Sequence, residues 1–476
     1  MSPDAGRAVR AAGNSLRRKL MKQMMKIVRN FLLAGGAAMA ASCGGDAPKA
    51  AQPREAAKPV TAVSLPAVDV GEEIGAFYKE RGFRPLWVRR SGLTEEGRRL
   101  IGILEAAEED GLQPERYNLP LLRTAAAAAG DPATVAKAEL LLSHAFADYV
   151  RDLHVPKDEK ALFLVDEELA PPRLTQRDVL EAAAAAPSLA EHLREVRRMN
   201  PLYEALKKGL AQYRAGGGDA AGEPRILANM ERARSIPAEA ARRYVIVDTA
   251  GARLWMVENG RVVDQMKTIV GKENMATPDM AGLIRYAVLN PYWNLPPDLA
   301  RERAKRVLKR GQGAIRAERL QILSDWSDRP RVLNASQVNW RAVASGAHPL
   351  RMRQLPGGDN VMGNVKFMLP NRLGIYLHDT PNKANFQLED RRLSSGCVRV
   401  EDAQRLSRWL FGGRNVKPSG SAPEQRVDLP EPVPVYITYL TAVPKVGGGI
   451  AFRKDFYRRD AALLARLEDR TRQRAA

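Results

Sequence analysis

A histidine and a cysteine in the second half of the chain are spaced so that they could act together in acyl transfer. His378 ends a short apolar run, Gly-Ile-Tyr-Leu-His, which predicts a buried strand. Cys397 follows a polar loop and a Ser-Ser-Gly turn. A cysteine nucleophile needs a base that takes its proton, and a strand end and a glycine turn can present both side chains to one site. The pattern therefore predicts covalent catalysis by Cys397 with His378 as its base.

Groups beside Cys397 fit the same reaction. The backbone N–H groups of Gly396 and Cys397 could form an oxyanion hole, because glycine lets a substrate carbonyl approach the chain closely. Arg399 could bind a substrate carboxylate through two parallel hydrogen bonds. A free thiol has a pKa of about 8.5 and a neighbouring imidazolium lowers it, so we expect His378 to favour the thiolate.

The strand that ends at His378 also indicates how its imidazole is oriented. Side chains alternate along a strand, so Tyr376 and His378 share one face and Asp379 points to the other. We therefore expect a backbone carbonyl, rather than the Asp379 carboxylate, to bind the second imidazole nitrogen.

Each of these residues also has a purely structural interpretation. A lone cysteine is more often a small buried apolar residue, Gly396 could serve only a turn, and Arg399 could form a surface ion pair. Spacing alone leaves both interpretations open. Four further histidines are scattered singly and fit structural roles: His144, His154, His192 and His348.

Four stretches of the second half carry a recognisable pattern: NPYWNLP at 290–296, GNVKFMLPN at 363–371, YLHDTPNK at 376–383 and SSGCVRVED at 394–402. They resemble the YkuD-type catalytic domain of the L,D-transpeptidases, and most closely its YcbB-like enzymes. The helical first half carries FYKERGFRPLWV, which is similar to the scaffold region of the same enzymes. The resemblance implies a mostly β sandwich, with Cys397 as the acyl-accepting nucleophile and His378 as its base.

The same resemblance implies roles for residues around the pair. The backbone of Gly396 would supply the oxyanion hole, and Ser395 and Arg399 would shape the site. Two features depart from the family pattern: Ser395 stands where many YkuD-type enzymes have a histidine, and no peptidoglycan-binding module separates scaffold from catalytic domain. The insertion at 297–349 would be a capping lid, and the residues along the substrate groove would be Tyr376, Trp293 and Asn294.

The implied reaction is acyl transfer on peptidoglycan stem peptides, which are the expected partner. Cys397 would attack the third residue of a tetrapeptide stem and expel the terminal D-alanine. An amine of a second stem would then resolve the thioester into a 3→3 cross-link. Two alternatives stay open: an L,D-carboxypeptidase-type cysteine peptidase that hydrolyses the same intermediate, and a structural envelope lipoprotein with a silent site.

Composition limits the other partners. The 476 residues exceed one ordinary core, and the formal net charge of +20 with a pI near 10.0 suits an anionic partner. No zinc-finger spacing or RNP-like aromatic stripe occurs, so we expect no nucleic acid partner. Two distant cysteines do not make a disulfide framework, and neither CxxC nor HExxH occurs. We therefore expect a reaction that uses no metal and no cofactor.

The first residues predict export. Residues 1–43 combine a basic region with a short apolar segment, FLLAGGAAMAAS, that ends at Cys43 and is too short to span a bilayer. Ala-Ala-Ser-Cys resembles the bacterial lipobox, so Cys43 is the expected lipidation site, and simple cleavage near Ala40 is the alternative. We expect a protein of the periplasm or cell envelope, with the outer membrane as the destination of a lipid-anchored form.

Hydrophobic periodicity indicates an α+β multidomain chain in which an all-α scaffold precedes a mostly β domain. Trp87 and Tyr117 are expected in the scaffold core, and the Asn259-Gly260 pair predicts a hairpin turn between two strands. The predicted parts are a linker at 44–69, a helical scaffold at 70–214, a connector at 215–240, a catalytic domain at 241–445 and a basic, helical C-terminal tail at 446–476.

Overall fold

A helical first half is followed by a mostly β second half, so the predicted α+β multidomain class is confirmed. The computed structural model describes residues 71–127, 132–158, 162–171, 173–238, 241–445 and 447–475. All of them belong to the unit Pro59–Ala476. The predicted export signal, Cys43 and the linker lie outside the described residues. None of the helices in these ranges has both the length and the apolar character of a bilayer span.

The scaffold helices pack around buried aromatic side chains. Trp87 is fully buried and its ring centroid lies 5.0 Å from that of Phe146. Tyr117 is buried against Tyr149, so both predicted core residues are confirmed. The elements are α1 (Gly71–Glu80), β1 (Val88–Arg89), β2 (Gly92–Leu93), α2 (Glu95–Glu105), α3 (Leu119–Ala127), α4 (Pro132–His154), β3 (Phe163–Leu164), α5 (Gln176–Ala185), α6 (Leu189–Glu195), α7 (Pro201–Ala215) and α8 (Gly222–Arg234).

One sheet forms the frame of the catalytic half. Its strands are β4 (Arg243–Asp248), β5 (Arg253–Glu258), β6 (Arg261–Gly271), β7 (Met280–Leu289), β12 (Val365–Met368), β13 (Leu377–His378), β14 (Arg392–Ser394), β15 (Val398–Val400) and β16 (Gln425–Thr438), with helix α12 (Ala403–Leu410). The order is β12-β13-β15-β6-β5-β4-β16-β7, and β12 pairs with β7, so the sheet closes on itself. Alternate residues of these strands face one apolar core. Asn259 and Gly260 have φ of 49° and 73° and join β5 to β6 in the predicted hairpin.

The scaffold contributes one strand to this sheet. β3 pairs in parallel with β7, and a strand of two residues is too short to show a period in the sequence. The Asp166 carboxylate follows β3, accepts a hydrogen bond from the N–H of Leu283 at 2.8 Å and pairs with Arg285 at 2.6 Å. These contacts join the helical and the β halves of the chain.

The predicted insertion has an apolar core of its own, and we call this part the cap. Its elements are β8 (Trp293–Asn294), α9 (Pro297–Arg310), α10 (Gly313–Ala317), β9 (Leu320–Leu323), β10 (Val332–Leu333), α11 (Trp340–Ser345) and β11 (Arg351–Gln354). They surround a small sheet in the order β10-β9-β11-β8. Because β11 pairs with β8, the cap extends beyond residues 297–349 at both ends.

The last described elements pack onto the rest of the chain. Strands β17 (Ala442–Pro444) and β18 (Ile450–Phe452) pair with each other, and helix α13 (Arg459–Ala475) follows them. Asp460 of α13 pairs with Arg232 of α8 at 2.7 Å, and both side chains are buried. The predicted tail is therefore helical in part, and it is attached to the helix of the predicted connector.

We predict that Asp166→Ala lowers the free energy of unfolding by about 1–3 kcal/mol, because it leaves the buried N–H of Leu283 without its acceptor. Urea denaturation and hydrogen exchange at Leu283 measure the effect. Glu168→Ala is the matched control, since Glu168 pairs with the same Arg285 at 3.1 Å but is mostly exposed. Equal losses of the free energy of unfolding in the two variants would show that the hydrogen bond from the N–H of Leu283 to Asp166 does not join the two halves.

Candidate active site

One row of polar side chains crosses three neighbouring strands of the catalytic sheet. Lys366 on β12 lies opposite His378 on β13 in antiparallel register, and His378 lies beside Arg399 on β15 in parallel register. The adjacent row points the other way, into the apolar core, and consists of Phe367, Leu377 and Val398. The strict alternation of a pleated sheet therefore separates a core face from a face that carries ionisable groups.

A backbone carbonyl orients the His378 imidazole, as the sequence predicts. The Nδ1 atom lies 2.6 Å from the carbonyl oxygen of Asp379. A carbonyl can only accept, so Nδ1 carries the proton and Nε2 keeps its lone pair. The Asp379 carboxylate instead accepts hydrogen bonds from the N–H of Asn364 at 2.9 Å and from Lys383 at 2.7 Å.

The imidazole of His378 is neutral in the resting site. Burial lowers its pKa from the usual value to about 3, the Arg399 guanidinium adds to the decrease, and Lys366 contributes in the same direction. The hydrogen bond to Asp379 opposes them without reversing the shift. The expected imidazolium beside Cys397 is therefore wrong, because burial disfavours the charged ring and the cations on both sides of His378 add to that effect.

Cys397 is a half-buried thiol. Burial raises its pKa, while hydrogen bonds from Tyr376 and the charge of Arg399 lower it. Its Sγ lies 3.5 Å from the carbonyl oxygen of Gly374, and no hydrogen bond among the described residues joins Sγ to the imidazole of His378. Cys397 nevertheless directly precedes β15, the strand that pairs with β13, and Tyr376 contacts both its thiol and the His378 ring. A neutral thiol and a neutral base therefore face one site.

The turn Ser394–Cys397, which we call the nucleophile turn, requires its glycine. Gly396 has a φ of +113°, and a Cβ there would lie 3.2 Å from the Ile375 side chain. The Ser394 hydroxyl accepts a hydrogen bond from the N–H of Gly396 at 3.2 Å and donates to the carbonyl of Cys397 at 2.6 Å. The Gly396 N–H is thus already engaged. The N–H of Cys397 has no hydrogen bond within the described ranges, which leaves it available to donate to a substrate oxygen.

Arg399 and Tyr376 line the same site. The Arg399 guanidinium is half-buried, has no hydrogen bond or ion pair within the described residues, and its Nε is fully enclosed. The Tyr376 ring lies 5.7 Å from the His378 ring and packs against both the catalytic core and the cap core. The site therefore offers a cation for an anionic group and an aromatic wall between cap and sheet.

Of three further predicted residues, two lie in the cap and one lies in the nucleophile turn. Trp293 is buried in the cap core with Arg303 over its ring at 5.7 Å. Asn294 is exposed on β8, and Ser395 is exposed in the nucleophile turn. No hydrogen bond or ring contact of the described residues joins Trp293 or Asn294 to the site of Cys397, so direct contact with substrate is not what their positions favour.

Sequence reasoning missed three residues that position the site: Ser394, Thr277 and Lys366. Nothing in the Ser-Ser-Gly-Cys motif distinguishes Ser394, which forms the turn, from Ser395, which faces solvent. Lys366 could have been noticed as a lysine within the apolar strand of GNVKFMLPN. Its Nζ lies 3.2 Å from both carboxylate oxygens of Glu424, which also accepts a hydrogen bond from the N–H of Tyr292 at 2.7 Å.

Comparison with known proteins agrees with this geometry. A family model for the L,D-transpeptidase catalytic domain, YkuD, matches residues 242–427, and a model for a Scaffold domain matches residues 72–210. The chain therefore carries a YkuD-type L,D-transpeptidase catalytic domain. The YcbB-like subfamily stays a prediction.

Individual relatives are distant. A Haemophilus influenzae protein named "Putative L,D-transpeptidase" is 25% identical over 383 residues, which cover 78% of this chain and 74% of that protein. An Enterococcus faecium L,D-transpeptidase structure is 14% identical, with a TM-score of 0.21, over 41% of this chain and 50% of that chain. A Mycobacterium smegmatis L,D-transpeptidase structure is 12% identical, also with a TM-score of 0.21, over 42% and 59%. The chain thus spans between half and two thirds of these solved structures.

We predict that the His378 imidazole stays neutral from pH 8 to pH 5, because burial and two flanking cations favour the uncharged ring. An ordinary histidine, with a pKa of about 6.5, would become protonated in this range. Nitrogen-15 NMR of the ring distinguishes the two states. Arg399→Met should raise the pH midpoint of the His378 titration by about one unit. Lys309→Met, which changes an exposed residue of α9, should leave this midpoint unchanged. A wild-type midpoint near the ordinary value would contradict the proposed electrostatics.

Proposed function

We propose that the chain is an L,D-transpeptidase that forms 3→3 cross-links between peptidoglycan stem peptides through a thioester on Cys397. One observation carries the proposal: a half-buried thiol directly precedes the strand that pairs with that of an oriented, neutral imidazole, near a guanidinium that has no hydrogen bond or ion pair among the described residues. The matched catalytic domain and the Ser-Gly-Cys-Val-Arg motif support the same chemistry.

Acylation begins when Sγ of Cys397 attacks the carbonyl carbon of the third residue of a tetrapeptide stem. A C–S bond forms as the thiol proton passes to Nε2 of His378, and the N–H of Cys397 donates to the oxyanion. The C–N bond to the terminal D-alanine then breaks, and the proton on Nε2 moves to the departing amine. The products are a thioester and free D-alanine.

The charges of Lys366 and Arg399, on either side of His378, suit this proton path. Arg399 and Lys366 disfavour an imidazolium at rest, so His378 is a weak base but a strong acid once it is protonated. Negative charge that develops on the sulfur and the oxyanion offsets the two cations during attack. The protonated His378 then gives its proton readily to the leaving amine. An imidazole that held the proton more tightly would slow this step.

The second half-reaction runs through the same groups. An amine of a second stem attacks the thioester carbonyl, and its proton passes to Nε2 of His378. The C–S bond breaks, an amide bond forms, and the sulfur regains the proton from the imidazole. Water in place of the amine would give hydrolysis, which is the carboxypeptidase alternative.

Substrate binding is assigned to the groups around this path. Arg399 would pair with a stem carboxylate, because its guanidinium is half-buried and forms no hydrogen bond or ion pair with the part of the chain that the structure describes. Tyr376 would line the groove where the sheet meets the cap. Trp293 and Asn294 would act indirectly, by fixing the shape of the cap, and Ser395 would contact the stem from its exposed position beside Cys397.

We predict that Cys397→Ala abolishes product formation on purified disaccharide tetrapeptides, while Cys43→Ala, which removes the chain's other cysteine, leaves it intact. The products are separated by chromatography and sequenced by mass spectrometry. Dimers with a 3→3 bond support transpeptidation. Tripeptide monomers without dimers would instead support the carboxypeptidase function. A wild type that forms no product would contradict both functions.

We further propose that the protein works in the periplasmic space, anchored to a membrane by lipid on Cys43. The short apolar segment before Cys43 and the formal charge of +20 support attachment to an anionic envelope surface. We predict that the wild type enters the detergent phase in Triton X-114 partitioning and that Cys43→Ala remains aqueous. An aqueous wild type would contradict lipidation.

A further inference from the structure

The chain continues past the matched catalytic domain into a segment that contacts the loop between β6 and β7. The Tyr457 hydroxyl donates a hydrogen bond to the carbonyl of Gly271. Arg459 pairs with Asp279 at 2.6 Å and donates to the carbonyl of Thr277 at 2.8 Å. All three partners belong to residues 271–279, which run from the last residue of β6 to the residue before β7 and are called the loop below, so one short segment binds this loop at its beginning and near its end.

The same loop fixes the nucleophile turn. Thr277 is fully buried, and its hydroxyl accepts a hydrogen bond from the N–H of Gly271 at 2.9 Å and donates to the carbonyl of Gly396 at 2.8 Å. The N–H of Lys272 donates to the carbonyl of Ser394 at 3.0 Å. A shift of the loop would therefore move the backbone on the N-terminal side of the nucleophile.

The segment that binds the loop is itself attached to the scaffold side of the chain. The Asp455 carboxylate accepts hydrogen bonds from the N–H of Asp460 at 3.0 Å and from the hydroxyl of Tyr439 at 2.8 Å. The Tyr457 ring stacks on Tyr439 with centroids 5.3 Å apart. Asp460 pairs with Arg232 on α8. The segment thus has fixed contacts on the side away from the loop as well.

We propose that residues 455–460, which we call the brace, position the nucleophile turn, with Tyr457 and Arg459 as positioning residues. The proposal rests on the proposed function, since it assigns the brace to acylation of Cys397. Neither residue touches the thiol. They act through Thr277 and Gly396 on the direction of Sγ and of the oxyanion N–H. A displacement of about 1 Å in such a geometry can slow a reaction by about 100-fold.

A different result is expected if the brace only stabilises the fold. Loss of its contacts would lower the melting temperature and the fraction of folded enzyme, but the folded molecules would react at the normal rate. Rate constants measured in a single turnover at saturating enzyme do not depend on the amount of folded enzyme. They therefore separate positioning from stability.

The test compares Tyr457→Phe with Tyr213→Phe in the full-length protein. Both substitutions remove one hydroxyl that donates to a backbone carbonyl, and Tyr213 donates to Asp219, which lies outside the loop. Single-turnover acylation by a tetrapeptide stem should slow by about 3- to 10-fold in Tyr457→Phe and stay within about twofold in Tyr213→Phe. Equal rate constants in the two variants would overturn the proposal.

A second readout does not need the natural reaction. Alkylation by iodoacetamide, followed on the peptide that contains Cys397, should show the same order of rate constants. If the wild type forms no acyl-enzyme but the alkylation rates differ, the proposed function fails and the brace stands. If acylation occurs and both rates are unchanged by Tyr457→Phe, the brace fails alone. Arg459→Lys, which keeps the charge beside Asp279, should restore most of the rate lost in Arg459→Met.

Discussion

The hydrogen bond between Nδ1 of His378 and the carbonyl of Asp379 is the contact on which the chemistry of the site depends. It places the single proton of a neutral imidazole on Nδ1 and leaves Nε2 as the atom that can accept from a thiol. Without it, burial between two cations would leave both tautomers available. The carbonyl belongs to the backbone, so the orientation is insensitive to pH, unlike an orientation set by a carboxylate.

The register of the sheet is the second constraint. A shift by one residue in β13 would place Leu377 on the polar face and His378 in the core, because the faces alternate at every residue. The apolar partners of Leu377 on both sides, Phe367 and Val398, make that shift costly. The cap then meets the same face at Tyr376, which packs against both cores. Core packing and site assembly therefore depend on the same pairing of strands.

Much of the site could be predicted from the sequence because its parts are local. The apolar run before His378, the glycine before Cys397 and the Asn259-Gly260 hairpin each follow from a few adjacent residues. The missing parts depend on contacts between distant segments. Thr277 and Lys366 reach the site only when β6, β7 and β12 assemble. The sequence also predicts the wrong protonation state for His378, since that state depends on burial in the assembled site and on the cations of two other strands.

Formation of a thioester between Cys397 and the stem is tested most directly by mass spectrometry of the trapped intermediate. The enzyme would be mixed with a tetrapeptide stem in the absence of an acceptor, quenched in acid and digested. We predict that the peptide containing Cys397 gains the mass of the stem without its terminal D-alanine. Cross-linked products formed by an enzyme on which Cys397 never carries that mass would contradict the account.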